Sequence, residues 1–191
     1  MTASFIEIYD GMISRQECAL VRNWFDSSSD QCKGMCYDTE GNDTVIEENK
    51  KDVEIPFLKL NDESLPSRII LPKLKQTLKR YHLKYETSLE SIAPWSLEEN
   101  YNLQRYMYED DGFKMLHCEA GGLPSSNRIL AWMVYFNTAK SGTHFTHFPN
   151  VKSKEGRIVI WPASWTHTHK SEPNLGIKYL ATGWVSFLHC H

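Results

Sequence analysis

Ile129-Leu130-Ala131-Trp132-Met133-Val134-Tyr135-Phe136 is an unbroken run of eight apolar side chains. Side chains on a strand alternate between two faces, so a run without polar alternation reads as a central strand covered on both sides. Outward from it, strands are predicted at about Tyr101–Met107, Phe113–Glu119, Arg128–Asn137, Phe145–Phe148, Gly156–Trp161 and Tyr179–Leu188. Turn-forming breaks at Asp110–Gly112, Gly121–Asn127 and Lys140–Gly142 separate several of them. Before Trp95 the pattern is helical. Ser14-Arg15-Gln16-Glu17 has the form of a capping box, and Cys18, Val21, Trp24 and Phe25 follow at helical spacing. A second helix is expected to begin at Pro66 or Pro72, with Ile70, Leu74, Leu78, Tyr81 and Tyr85 as its buried stripe. Between the two, Ser27 to Asp52 is polar and reads as a long surface loop able to act as a lid. Helices first and strands later predict an α+β, mainly β domain, with helices packed on one sheet of a β-sandwich or open barrel.

At 191 residues the chain fits one domain, divided into helical support and surface loop over 1–95 and a β core over 96–191. Its net charge of −3 gives no reason to expect nucleic acid. No stretch reaches the roughly 20 apolar residues of a membrane helix, and the first residues do not read as a signal peptide. The five cysteines are odd in number and mostly scattered, which favours reduced thiols and a cytoplasmic setting. The oligomeric state is not legible.

Two histidine-bearing patches carry the chemistry, His117-Cys118-Glu119 and Trp165-Thr166-His167-Thr168-His169. On a regular strand His117 and Glu119 project from one face while Cys118 points to the other. A further imidazole from the second patch would complete two histidines and one carboxylate. That trio occupies one face of an octahedron and leaves three positions open, which suits non-haem Fe(II) oxygenases rather than a closed structural zinc site. His82, His144 and His147 read as structural or solvated, and the His189-Cys190-His191 tail as frayed. Lys50 and Lys51 read as solvated loop charges, Arg128 as a surface ion pair or substrate contact, and Trp132, Tyr135 and Trp161 as packing.

An ordered set of motifs resembles the 2-oxoglutarate- and Fe(II)-dependent dioxygenases of the prolyl 4-hydroxylase-like branch. It comprises Tyr101-Asn-Leu-Gln-Arg-Tyr106, His117-x-Glu119, Arg128-Ile-Leu with Tyr135-Phe-Asn137, and Gly142-Thr143-x-Phe145. Gly156-Arg157 with Trp161-Pro162, His167-Thr-His169, and Gly176-x-Lys178-Tyr179 with Trp184 complete it. The resemblance implies a double-stranded β-helix, or jelly roll, with N-terminal helices packed on one sheet. It implies iron ligation by His117, by Glu119 and by a distal histidine. His167 is favoured for that role because it lies five residues after Pro162, and His169 is the alternative. Most relatives carry aspartate where this chain has Glu119, which is one methylene longer.

Lys178 falls where the family binds the far carboxylate of 2-oxoglutarate, Tyr106 matches a tyrosine that helps hold it, and Trp184 matches an aromatic beside the cofactor. The implied cofactors are Fe(II) and 2-oxoglutarate, with ascorbate as an accessory. The implied reaction is hydroxylation of a prolyl residue in a peptide or protein, with succinate released. A free amino acid or other small molecule is the rival substrate, and a non-catalytic cupin-like binding module the rival function.

Overall fold

The computed structural model describes residues 3–37, 42–58 and 63–188. The histidine-bearing tail and residues 38–41 of the expected lid lie outside them. In chain order the elements are β1 (Glu7–Tyr9), α1 (Arg15–Ser27), β2 (Cys32–Lys33), β3 (Cys36–Tyr37), β4 (Asp43–Thr44), β5 (Lys50–Lys51) and β6 (Val53–Phe57). There follow α2 (Leu65–Lys84), α3 (Glu86–Leu89), β7 (Trp95–Tyr106), β8 (Gly112–Phe113) and β9 (Arg128–Tyr135). The chain continues with β10 (Gly142–Phe145), β11 (Val151–Lys152), β12 (Arg157–Pro162), β13 (His169–Ser171) and β14 (Lys178–Phe187).

A seven-stranded sheet, ordered β1-β12-β9-β14-β7-β6-β2, faces a three-stranded sheet ordered β11-β10-β13. The pairings within both are antiparallel. This is the jelly roll the motifs implied. β9, which contains the apolar run, sits between β12 and β14, where both of its faces are covered.

The two layers of core follow from the strand period of two. On the helix side Tyr101, Leu103, Leu130, Trp132, Val134, Ile158, Ile160, Ala181 and Val185 join Val21 and Phe25 of α1 and Ile70, Leu74 and Tyr81 of α2. On the other side Tyr106, Ala131, Tyr135, Val159, Trp161 and Leu180 meet Phe145 and Val151 of the small sheet.

Local signals set the helices. Ser14 Oγ accepts from Glu17 N at 3.2 Å, and Ser14 N donates to Glu17 Oε2 at 2.8 Å, completing the capping box. Of the two candidate starts for α2, Pro66 lies in the first turn behind a Ser64 cap, while Pro72 falls inside the helix. Pro72 and Arg68, the residue whose carbonyl Pro72 leaves without an amide, are both exposed. Among the described residues no helix is long and apolar enough to cross a membrane.

Several boundaries differ from expectation. β7 begins at Trp95, well before Tyr101, because Trp95, Ser96 and Leu97 pair with Phe187, Ser186 and Val185 at the end of β14. The stretch expected as a strand from Phe113 to Glu119 keeps only β8 and an isolated bridge at His117. The fourth expected strand is β10, which ends at Phe145 instead of beginning there. Ser27–Asp52 is not a plain loop, since it contributes β2 to β5, and β2 and β6 extend the large sheet from the N-terminal region.

Candidate metal and 2-oxoglutarate site

His117 and His169 face each other across a two-way backbone pair, with His117 N to His169 O at 3.0 Å and His169 N to His117 O at 2.8 Å. Beyond this bridge the two segments close again where Ala120 N bonds Ala163 O at 3.0 Å. Both imidazoles are walled by aromatic rings. Phe113 stacks on His117 with centroids 3.8 Å apart, and Trp161 and Phe145 approach His169 at 5.2 and 5.4 Å.

One donor atom each from His117, Glu119 and His169 lies within 4.8 Å of the others. Glu119 Oε1 is 3.1 Å from His169 Nε2 and 3.7 Å from His117 Nε2. The remaining ring nitrogens settle the tautomers. His117 Nδ1 meets the Met115 carbonyl at 3.0 Å, and His169 Nδ1 meets the His167 carbonyl at 2.9 Å. A carbonyl oxygen only accepts, so both Nδ1 atoms carry the proton in the neutral rings and both Nε2 lone pairs point inward. Two lone pairs and a carboxylate then converge on one point, an arrangement that calls for a cation, with the outer hydrogen bonds fixing the rings as they do in metal sites. Burial pushes the Glu119 carboxyl up, but where the imidazoles are protonated, hydrogen bonds and charge from His117 and His169 outweigh it and hold the group well below the usual carboxylate range. The donor set therefore fits a divalent cation.

His167, the distal histidine that the spacing favours, lies apart from this cluster, and His169, the alternative, lies within it. The strand that would have put His167 and His169 on one face starts only at His169, and Trp165–His167 is instead a 3-10 turn. This turn rotates His167 out of the site. Its Nε2 donates to the Ser4 carbonyl at 2.8 Å, its Nδ1 faces Thr166 Oγ1 at 2.9 Å, and its ring stacks on Phe148. Both nitrogens are engaged, and the imidazole is a structural link to the N-terminal segment.

Lys178 begins β14 opposite Tyr106 and is 1% exposed. Its Nζ reaches the Gly142 carbonyl at 3.4 Å and lies 4.8 Å from the centre of the Tyr106 ring. Among the described residues no carboxylate lies within ion-pair distance of it. Burial pulls the ammonium down to about 8, with Glu172 opposing weakly. A buried cation without a counter-ion is costly, and a ligand carboxylate would relieve the cost. Gly142 is three residues along β10 from Phe145, which pairs with His169, so about 10 Å of strand separates the two ends of the site.

A buried polar group beside Tyr106 escaped the sequence reading. Lys50, taken there as solvated, is 4% exposed, bonded to Glu54 and 3.8 Å from Asp52. Gln104 Nε2 donates to Asp52 Oδ2 at 2.6 Å, and Thr182 Oγ1 donates to Gln104 Oε1 at 3.0 Å. Burial, with Glu54 adding to it, pushes the Asp52 carboxyl up to about 7. The signal was present as Lys50-x-Asp52-x-Glu54, charged residues at the strand period. A second cluster, His82, Glu86 and Glu90, also brings three ligand atoms together, but both of its carboxylates are exposed and water satisfies them. Arg128 bonds Glu98 through Nε at 3.1 Å and stacks on Trp184 at 3.7 Å.

Comparison with known proteins shows what the chain is similar to. The profile of the 2OG-Fe(II) oxygenase superfamily matches residues 101–186. This jelly-roll segment is similar to the Fe(II)- and 2-oxoglutarate-dependent oxygenases of that profile, and solved structures of prolyl hydroxylases share its fold. The viral collagen prolyl hydroxylase of Paramecium Bursaria Chlorella virus-1, solved with 2-oxoglutarate, is 15% identical with a TM-score of 0.64, covering 96% of this chain and 97% of that one. A Trichoplax adhaerens prolyl hydroxylase bound to a hypoxia-inducible-factor peptide fragment is 12% identical with a TM-score of 0.73, covering 96% and 84%. The carbocyclase SnoK of nogalamycin biosynthesis, also 2-oxoglutarate-dependent, is 10% identical with a TM-score of 0.66, covering 96% and 80%. No curated protein sequence matches the chain.

Proposed function

We propose that the protein hydroxylates a prolyl residue in a peptide or protein, with iron held by His117, Glu119 and His169. The observation that carries this reading is the convergence of three inward-facing donor atoms within 4.8 Å, with the Lys178 ammonium, which has no carboxylate partner among the described residues, buried between the same two sheets. Iron bound there with 2-oxoglutarate would activate dioxygen, the oxidant, one oxygen atom going into succinate as 2-oxoglutarate loses carbon dioxide and the other into the hydroxylated substrate. The three side chains would hold the cation from one side and leave its other positions for ligands. Phe113, Phe145 and Trp161 fix the planes of the imidazoles and keep water from the lone pairs. Lys178 docks the far carboxylate, and Tyr106 closes the wall beside it. The prolyl substrate is supported by the prolyl hydroxylases among the neighbours, one with a peptide bound. SnoK, of the same fold, supports a small-molecule substrate as the second reading.

The test is succinate release by the Fe(II)-loaded protein with and without proline-containing peptides, read beside the peptide's mass. Stimulated succinate release with one oxygen atom gained by the peptide is expected, and His117→Ala should abolish both. Stimulation by small molecules alone would replace the prolyl substrate with the second reading. Full succinate release by the His117→Ala variant would remove that residue as a ligand.

A further inference from the structure

The two oxygens of Glu119 do different things. Oε1 faces both imidazoles, whereas Oε2 accepts a 2.6 Å hydrogen bond from the indole nitrogen of Trp184. We propose that Trp184 is a positioning residue that confines Glu119 to one-oxygen ligation and so keeps a coordination position open for 2-oxoglutarate. This rests on the metal site proposed above.

The need for such a device comes from the extra methylene of glutamate. It adds a rotatable bond, and carboxylates bind cations through one oxygen or through both. Three protein atoms on an octahedron leave three positions. A 2-oxo acid chelating through its carboxylate and keto oxygens takes two, and dioxygen takes the third. Glutamate swung into two-oxygen ligation would close one of them. An indole N–H is a donor only, and its bond to an ionised carboxylate is of the stronger, charge-assisted kind. While that bond holds, Oε2 is not available to the cation.

Trp184 is itself held. The Arg128 guanidinium lies 3.7 Å from the centre of its ring, and the Arg128 Nε and Nη2 bond the two oxygens of Glu98 at 3.1 and 3.5 Å. Ser186 Oγ bonds the same carboxylate. Across the ladder from Trp184 stands Ala131, whose small side chain leaves room for the indole. The pairing of β14 with β7 shifts register between Gly183 and Val185, at Trp184 itself, and such irregularities re-aim side chains. Trp132 and Trp161 of the same sheet bury their ring nitrogens with no partner among the described residues, whereas the Trp184 nitrogen is aimed at the Glu119 carboxylate.

The test is Trp184→Phe, which keeps the ring and removes the N–H, with Mn(II) as the metal probe. Exchangeable water on Mn(II) is counted by electron paramagnetic resonance in water enriched in the magnetic oxygen isotope. The variant should carry one bound water fewer than the parent. It should bind 2-oxoglutarate about 10-fold more weakly, because the second carboxylate oxygen must leave the cation first, at roughly the cost of one charge-assisted contact, while Mn(II) alone binds at least as tightly. Thermal unfolding checks that the variant is folded. Glu119→Asp supplies the second arm. The shorter side chain withdraws from the indole, so Trp184→Phe should change little in that background. Unchanged water count and 2-oxoglutarate affinity in Trp184→Phe, or an equal loss in both backgrounds, would overturn the role of Trp184 while leaving the metal site standing. Failure of the parent protein to bind Mn(II) would overturn both.

Discussion

The two faces of the large sheet are built by alternate residues of the same strands, and they do opposite work. On β14, Tyr179, Ala181 and Val185 pack toward the helices, whereas Lys178, Leu180 and Trp184 belong to the face turned to the small sheet. On β7, Tyr101 and Leu103 face the helices, whereas Gln104 and Tyr106 lie beside the polar cluster and Lys178. The helix side is closed by apolar volume. The other side buries two ammonium groups, two carboxylates and an amide, groups that favour folding only when partnered. A slip of one residue in any of these strands would exchange the two roles, so the apolar pattern that holds the fold also aims the chemistry.

Breaking the helix side should affect stability and spare the site. Leu74 is fully buried between α2 and the sheet, and Leu74→Ala should cost about 2–5 kcal/mol in denaturant unfolding. Metal affinity of the folded fraction should stay unchanged; a parallel loss would show that the two faces are coupled. Lys178→Ala should do the reverse. Removing the charged partner of the far carboxylate should weaken 2-oxoglutarate by about 1.5–3 kcal/mol in calorimetric titration, with Mn(II) affinity retained. Unfolding stability should not fall, because the variant removes an unpaired buried charge.

The pH dependence follows from the same group. Burial lowers Lys178 to about 8, and only the protonated form attracts a carboxylate. Affinity for 2-oxoglutarate should therefore be complete below that value and decline as pH rises through it, by about tenfold between about pH 7 and about pH 9. Lys178→Arg should flatten the profile, since guanidinium stays charged. A profile that is already flat in the parent would mean that Lys178 does not meet the ligand. The smallest effect is expected on the helix side, where Ser14→Ala removes the cap of α1 and should cost about 1 kcal/mol of stability without altering ligand binding.

What was legible in the sequence follows the same division. The run 129–136 announced the central strand because both faces needed cover, and Ser14 with Glu17 announced α1 because a cap is a local contact. Lys178 stood out through the resemblance, and its burial without a counter-ion supplies a physical reason for the match. The choice between His167 and His169 rested on counting from Pro162. No local pattern distinguishes a strand over Trp165–His169 from a 3-10 turn that delays it, and the contact to Ser4 that holds His167 spans the length of the chain. The strand over Phe113–Glu119 dissolved for a similar reason. His117 is placed by pairing with His169, while its neighbours have no ladder to join. The burial of Lys50 was hidden because a charged segment reads as solvated until the strand opposite is known to carry Gln104.

Most direct is Mn(II) binding, followed by electron paramagnetic resonance or calorimetry, in the parent, His169→Ala and His167→Ala proteins. With His117, Glu119 and His169 as the ligands, His169→Ala should weaken binding by more than about 100-fold, beyond the range of an outer-shell change. His167→Ala should bind as the parent does and lose only about 1 kcal/mol of stability, the worth of its bond to Ser4. Parent-like binding in His169→Ala, together with loss in His167→Ala, would contradict the site.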